Sequence, residues 1–442
     1  MVDNRQKFTL YTLGCKVNQE EGMAMAALFR AAGYQQVSFQ ERADLYIINT
    51  CTVTHVADRK CRAVIRRAVK ANPEAFIVVT GCYAQVAAAE IAKIKGVDLI
   101  AGVNERASLV QLVKECWEDK TSAARQVVGD ISQVKKFMVI GDDGGDQSRA
   151  RAYLKIEDGC DQFCHYCLIP YARGPVRSLP LKEAVQRAQV LLDLGYQEMV
   201  LSGIHIGAYG QDLAGHNLEK LLHHLCSLPG KWRLRLGSLE PQQLSDSLLK
   251  LISCEERICP HVHIPLQSGC DQTLMAMGRK YSTKQYATLL KKLRDFNPQI
   301  AVTSDLMVGY PGETKDDFER SLNFCQEMSF ADVHVFPYSR RQGTPAFKIP
   351  KHVDQISKNQ RVARINTEVG KMRASYRQSF VGKKVEFLPE RQFNIDNVVY
   401  WQGHSENYLP VCLPASDGLR GQLISVRIKK MDDKNLLWSR KI

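Results

Sequence analysis

The chain has 442 residues, 45% of them hydrophobic and 24% charged, which is ordinary for a soluble globular protein and enough for about three domains. No run of about 18 apolar residues and no basic-then-apolar leader occurs, so neither a membrane span nor a secretory signal is expected and a cytoplasmic location is. In such a reducing compartment the fourteen cysteines are better metal or catalytic candidates than disulfide partners.

The first 120 or so residues alternate strand-like and helix-like segments. Strands are predicted at Phe8–Leu13, Asp44–Asn49, Ala75–Thr80 and Val97–Ile100, with helices at Glu20–Ala32, Ala57–Ala71 and Ala87–Ile94 between them. That order argues for a parallel α/β sheet, and no G-x-G-x-x-G follows the first strand to suggest a dinucleotide fold. The acidic, glycine-rich run Gly141-Asp142-Asp143-Gly144-Gly145-Asp146 reads as a linker or exposed hairpin. Strand candidates then return at Ala152–Glu157, Glu198–Leu201, Trp232–Leu236, His261–Pro265, Ala301–Val308 and Asp332–Phe336, separated by long amphipathic stretches. Six successive βα units point to a full or partial (β/α) barrel, with its chemistry at the C-terminal strand ends. A basic connecting helix is predicted over Gln355–Arg377. Short β-like runs follow at Lys384–Leu388, Asn397–Gln402, Leu409–Leu413, Gln422–Lys429 and Asn435–Trp438 and fit a small antiparallel barrel of the OB type. Tyr400, Trp401 and Tyr408 are its base-stacking candidates, core packing being the alternative. The domain boundaries are accordingly set at 1–140, 146–375 and 376–442.

The formal net charge is +13, and Lys351–Ile442 contributes +8 of it, with 17 Lys/Arg against 9 Asp/Glu. A basic C-terminal segment suggests a polyanionic partner, nucleic acid by default, or else a solvated surface.

Cys160, Cys164 and Cys167 form a C-x-x-x-C-x-x-C loop directly after the first barrel strand, with Tyr166 before the last cysteine. Three thiolates so spaced can hold three irons of a four-iron cube and leave the fourth iron open. A zinc site completed by His165 or His263 is the alternative. In the first domain Cys15, Cys51 and Cys82 each lie just past a predicted strand end, where ligands bind in open α/β sheets. They would converge as a second metal site, or serve as three buried structural cysteines.

The segments Gly14-Cys15-Lys16-Val17-Asn18, Asn49-Thr50-Cys51-Thr52-Val53 and Gly81-Cys82-Tyr83-Ala84-Gln85, followed by the Cys160–Cys167 loop, resemble the radical SAM methylthiotransferases over essentially the whole chain. The resemblance implies two [4Fe-4S] clusters and S-adenosylmethionine (SAM): an auxiliary cluster on Cys15, Cys51 and Cys82, and a SAM-cleaving cluster on Cys160, Cys164 and Cys167. It also implies a C-terminal TRAM domain of OB-like form, and replacement of an inert C–H hydrogen by CH₃S. Tyr166, Ser202, Gly203, Ser238, Glu240 and Gln267 are the SAM-contact candidates. Partners implied are the anticodon loop of tRNA and an electron donor such as flavodoxin or ferredoxin.

Within the family, Tyr11–Gln19 and the run Cys167–Ser178 are similar to the bacterial branch acting on N6-threonylcarbamoyladenosine in tRNA. Lys16, Arg173 and Arg177 are candidates for the threonyl carboxylate of that substrate. The alternatives are methylthiolation of N6-isopentenyladenosine in tRNA, methylthiolation of a ribosomal-protein aspartate, and a non-enzymatic zinc- and nucleic-acid-binding protein.

Overall fold

The computed structural model describes residues 6–119, 123–141 and 149–442. Of the acidic run read as a linker, everything after Gly141 lies outside the described residues. The chain divides into two compact units, Met1–Gly144 with Glu157–Leu179 and Ser339–Phe347, and Gly145–Ile156 with Pro180–Tyr338 and Lys348–Ile442. This differs from a division at 140, 146 and 376. The Cys160–Cys167 loop belongs to the unit of the N-terminal sheet, and the C-terminal barrel shares a unit with the βα strands.

The first unit carries a six-stranded parallel sheet of β1 (Lys7–Thr12), β2 (Gln35–Gln36), β3 (Leu45–Thr50), β4 (Phe76–Gly81), β5 (Leu99–Ala101) and β6 (Arg125–Val127), in the order β2-β1-β3-β4-β5-β6. The helices α1 (Lys16–Ala31), α2 (His55–Ala71), α3 (Cys82–Ala92) and α4 (Leu109–Glu118) connect it. β3 and β4 are buried at every position, as expected of central parallel strands covered on both faces. Side chains alternate across the sheet, so Ile47 and Val78 join one core with Met25, Phe29 and Val113, while Ile48 and Val79 join the other with Ile65 and Ile91.

In the second unit two parallel sheets follow one another, 235–233 beside 198–202 beside 152–155, and 261–263 beside 301–308 beside 332–337. Parallel bridges Leu234↔Ile258 and Ser238↔His263 join them into the six-stranded partial barrel that the sequence predicts. The helix Gln355–Gln378 leads to a closed five-stranded barrel built from Lys384–Ile395, Val398–Ser405, Pro410–Pro414, Ile424–Met431 and Leu437–Lys441. Its core holds Phe387, Trp401, Val411, Val426 and Leu437.

Trp401 is therefore core, with its indole N–H on Ser416 O, and is not a base platform. Tyr408 stacks on His261 and His404 under the Arg235 guanidinium, so its ring faces are occupied internally. Tyr400 is half-buried and meets Trp438 edge-on.

Candidate metal centre

β1, β3 and β4 are neighbours, with Thr12 opposite Asn49 and Thr50 opposite Gly81. Cys15 is the N-cap of α1, Cys51 follows Thr50 directly, and Cys82 opens α3. Three adjacent strand ends thus deliver three thiols to one edge. Two glycines make the approach possible. Gly14 has φ +106°, and a Cβ there would lie 2.6 Å from Cys51 Cβ. Gly81 has φ +96°, and a Cβ there would lie 2.4 Å from Thr50 O. Both conformations are disfavoured for L side chains.

The thiols feel one another. Burial pushes Cys51 up to about 12, and the neighbouring Cys82 and Cys15 add to it. Burial also raises Cys15, although its side chain opens to solvent, and Arg173 opposes that rise. Cys61 is buried on α2 and braces the Cys51 loop, since its Sγ receives Cys51 N–H and donates back to Cys51 O.

Beneath the thiols lies a polar network with no water-exposed surface to speak of. Asn18, fully buried, donates to Leu13 O and Thr50 O at 2.9 Å each, fastening the cysteine loops together. Arg173 ends the short helix α5 (Ile169–Arg173) and is fully buried. Its Nη1 meets Glu21 Oε1 at 2.7 Å, its Nη2 meets Glu21 Oε2 at 2.9 Å and Asn18 Oδ1 at 2.6 Å, and its Nε donates to Cys82 Sγ at 3.1 Å. Arg106, also fully buried, holds the other side of Glu21. Asp158 sits 3.3 Å from Arg173 and 3.5 Å from Arg177. Burial acts to lower the Arg173 pKa, but Cys82, Glu21 and Asp158 outweigh it and hold the group well above the ordinary arginine value.

Arg177 is 3% exposed and donates to Arg173 O and Pro175 O. Two of the three cations expected on a substrate carboxylate are therefore enclosed and engaged internally, Arg173 at the end of α5 and Arg177 on the short strand Arg177–Ser178. Lys16 keeps an exposed side chain beside Cys15.

Cys160, Cys164 and Cys167 belong to this same unit. Their loop is tied by Cys160 N–H to Gly174 O and by Cys167 N–H to Cys164 O, and Ile169 N–H points at Cys167 Sγ. Burial raises the Cys160 thiol, with Cys167 and Cys164 adding to the effect. Phe163, at φ +46°, and Tyr171 form an exposed edge-on pair. Each triad is a three-thiol donor set of the kind a four-iron cube takes, with one thiolate per iron. Among the described residues no group of three His, Cys, Asp or Glu is arranged around a single ion.

Of the SAM-contact candidates, Tyr166 is half-buried in the cysteine loop. In the second unit Ser202 is buried, and its carbonyl accepts from Ile156 N–H. Gly203 follows it, half-buried, and Ser238 is exposed at its bridge to His263. Glu240 forms an ion pair with Arg279, so its carboxylate already has a cation partner. Gln267 has φ +63°, and its buried Oε1 has no hydrogen-bond partner. An orphaned buried acceptor at a strand end marks a place for a ligand donor. His263 is bonded to Thr303 and Asp305.

Residues 7–102 match the family model described as "Uncharacterized protein family UPF0004", and residues 154–325 match that of the radical SAM superfamily. Over 424 residues, 95% of this chain and 93% of the relative, the chain is 40% identical to the threonylcarbamoyladenosine tRNA methylthiotransferase MtaB of Bacillus subtilis. The chain belongs to the radical SAM methylthiotransferase family. It is an enzyme that transfers a sulfur-containing group and uses SAM and a [4Fe-4S] cluster. A second relative, the tRNA-2-methylthio-N(6)-dimethylallyladenosine synthase of Lawsonia intracellularis, is 32% identical over 443 residues, 96% of each chain. The fold is shared with the radical SAM methyltransferase TsrM of Kitasatospora setae, at a TM-score of 0.56 and 13% identity over 83% of this chain and 89% of that one. No helix among the described residues is long and apolar enough to cross a membrane.

The candidate site includes residues that sequence reasoning did not single out. Glu21, Arg106 and Asp158 fix Arg173. Arg341, 5% exposed, binds Asp58 and the Thr52 hydroxyl beside Cys51. A signal for two of the buried polar groups exists in the helix periodicity. Asn18, Glu21, Gly22, Met25 and Phe29 share the buried stripe of α1, and polar residues on such a stripe need internal partners.

Proposed function

We propose that the enzyme converts N6-threonylcarbamoyladenosine, the purine just 3′ of the tRNA anticodon, into its 2-methylthio derivative. The observation that carries this reading is the greater identity to a relative named for that nucleoside, 40%, than to one named for the dimethylallyl nucleoside, 32%. The Gly14–Asn18 segment and the Cys167–Ser178 run point the same way. A threonyl carboxylate calls for a cation, whereas an isopentenyl group calls for an apolar pocket. Lys16, exposed beside Cys15, is our candidate for that cation.

In this reading Cys160, Cys164 and Cys167 hold the cluster at which SAM is cleaved, and Cys15, Cys51 and Cys82 hold an auxiliary cluster. When bound, the two supply one-electron reduction and a place for sulfur. The chain's own groups do the rest. Asn18 and Cys61 fix the auxiliary loops, and Tyr166, Ser202, Gly203, Ser238 and Gln267 are the proposed SAM contacts. Glu240 joins them if it exchanges Arg279 for SAM. The tRNA anticodon loop is the proposed partner, flavodoxin or ferredoxin the proposed electron donor, and the cytoplasm the proposed location.

The test is mass spectrometry of tRNA nucleosides from a strain lacking this protein. Loss of the 2-methylthio derivative, with N6-threonylcarbamoyladenosine accumulating, is the expected result. Loss of the 2-methylthio isopentenyl nucleoside instead would assign the enzyme to the other branch.

A further inference from the structure

We propose that Arg173 sets the reduction potential of the auxiliary cluster through its hydrogen bond to Cys82, acting as a positioning cation rather than as a substrate ligand. The inference rests on the reading of Cys15, Cys51 and Cys82 as cluster ligands.

A guanidinium has five N–H donors and no acceptor. Those of Arg173 are all taken: Nη1 by Glu21 and Asp158, Nη2 by Glu21 and Asn18, and Nε by Cys82 Sγ at 3.1 Å. The bidentate contact with Glu21 fixes the plane of the fork, and Arg106 fixes Glu21 from its far side. With the plane fixed, the Nε–H bond has one direction left, toward the Cys82 sulfur. No donor remains for a substrate carboxylate.

Arg106, Arg173 and Arg177 meet Glu21 and Asp158 in this pocket, and all five side chains are at most 4% exposed, so the donor that Arg173 turns to Cys82 is dry as well as charged.

A hydrogen bond to a ligand sulfur withdraws electron density from the cluster and favours its reduced form, most strongly when the donor is charged and dry. Removing it moves the potential to more negative values. Arg173 also lies six positions after Cys167 on the continuous segment that carries the other triad. One residue thereby fastens that segment to a ligand of the auxiliary cluster.

The experiment uses the full chain with C160A, C164A and C167A, so that only the auxiliary cluster is seen. Reconstituted anaerobically, this protein should hold about four iron per chain. If it holds none, the auxiliary-cluster reading fails and the inference falls with it. If it does hold iron, an EPR-monitored redox titration compares it with the same protein carrying Arg173→Gln. The expected result is a potential shifted negative with the iron retained, and partial recovery in Arg173→Lys. An unchanged potential with the cluster in place overturns the inference. A second measurement needs no Arg173 variant. With [15N]arginine incorporated, pulsed EPR of the reduced auxiliary cluster should show coupling to an arginine nitrogen, and its absence overturns the inference even if Arg173→Gln fails to assemble.

Discussion

Glu198→Gln is the substitution to which the second unit should be most sensitive. Glu198 is fully buried on strand 198–202, with Arg235 Nε 3.0 Å from Oε1, Arg233 Nε 2.7 Å from Oε2 and Arg151 Nε 3.4 Å from Oε1. The arginines reach onward. Arg233 donates to Glu386 O and His404 O, and Arg235 donates to Ser405 O and Glu406 O, all carbonyls of the C-terminal barrel. One carboxylate therefore anchors the cations through which the C-terminal barrel is attached to the βα strands. Burial alone would raise the Glu198 pKa, but Arg235, Arg233 and Arg151 outweigh it and hold the group well below the usual carboxylate range.

Removing one member of a buried ion pair costs about 3–5 kcal/mol, and three guanidiniums depend on this one, so the upper end, about 5 kcal/mol, is expected. With a urea m-value of about 3 kcal/mol/M, the midpoint should fall by about 1.5 M or more. Trp232, Trp401 and Trp438, three of the four tryptophans, lie in the second unit, so tryptophan fluorescence of the apo-protein reports its unfolding. Glu183→Gln is the control, because the Glu183–Arg187 pair is partly solvated and contributes only about 0.5 kcal/mol or less. A midpoint drop under about 0.3 M for Glu198→Gln would refute the anchoring argument. The pH dependence follows from the sign of the shift. A carboxylate depressed by folding adds stability above its unfolded pKa, near 4.3, and loses it as pH falls toward the folded value. Glu198 should thus contribute no slope between about pH 8 and 6, and its contribution should fall away below about pH 4.

Replacing Cys160, Cys164 and Cys167 together should halve the iron from about eight per chain and abolish SAM cleavage; retention of all the iron would refute the ligand assignment. Replacing Cys15, Cys51 and Cys82 should leave SAM cleavage detectable and stop sulfur insertion, read by product mass spectrometry; continued methylthio product would refute the division of labour. Asn18→Ala removes two bonds to loop carbonyls and one from Arg173, together about 3–4 kcal/mol, and should lower iron retention under chelator challenge; unchanged retention would count against the clamp. Lys384, Arg427 and Arg440 are paired across three neighbouring barrel strands, all exposed, so reversing all three should weaken tRNA binding and flatten its log–log salt slope by about 2–3; an unchanged slope would remove this face from the RNA interface.

The cysteines were legible because strand ends can be read from hydrophobic runs, and thiols placed just after them fall on one sheet edge. The helix starts were not. The sequence suggests helices from Glu20 and Ala87, but α1 begins at Lys16 and α3 at Cys82. Neither start carries a side-chain cap, Cys15 and Gly81 being the N-caps, so the usual Ser, Thr, Asp or Asn signal is missing. Ala87, at φ −140°, is a kink inside α3, which is why the regular pattern resumes only there. The burial of the arginines was not legible for a different reason. A buried Arg173 and an exposed Arg427 look alike in a sequence, and the carboxylate that draws the first inward, Glu21, is 152 positions away.

The same ambiguity bears on what the net charge means. Arg106, Arg151, Arg173, Arg177, Arg233, Arg235, Arg341 and Lys358 are buried among the described residues, as are Glu21, Asp58, Glu157, Asp158, Glu198, Glu313 and Asp317. Eight buried cations against seven buried acids nearly cancel. Buried groups among the described residues thus account for only +1 of the formal excess of +13, and its concentration after Lys351 is not an artefact of interior pairs. On the C-terminal barrel the excess is organised: Lys384 stands opposite Arg427, and Arg427 opposite Arg440. Like charges directly opposite on one sheet face repel, by up to about 1 kcal/mol per pair. A polyanion laid across the row turns that repulsion into attraction and releases counterions as it binds. Solubility alone asks for interspersed signs rather than an aligned row. The alignment therefore favours the polyanion over the solvated-surface reading of the basic segment.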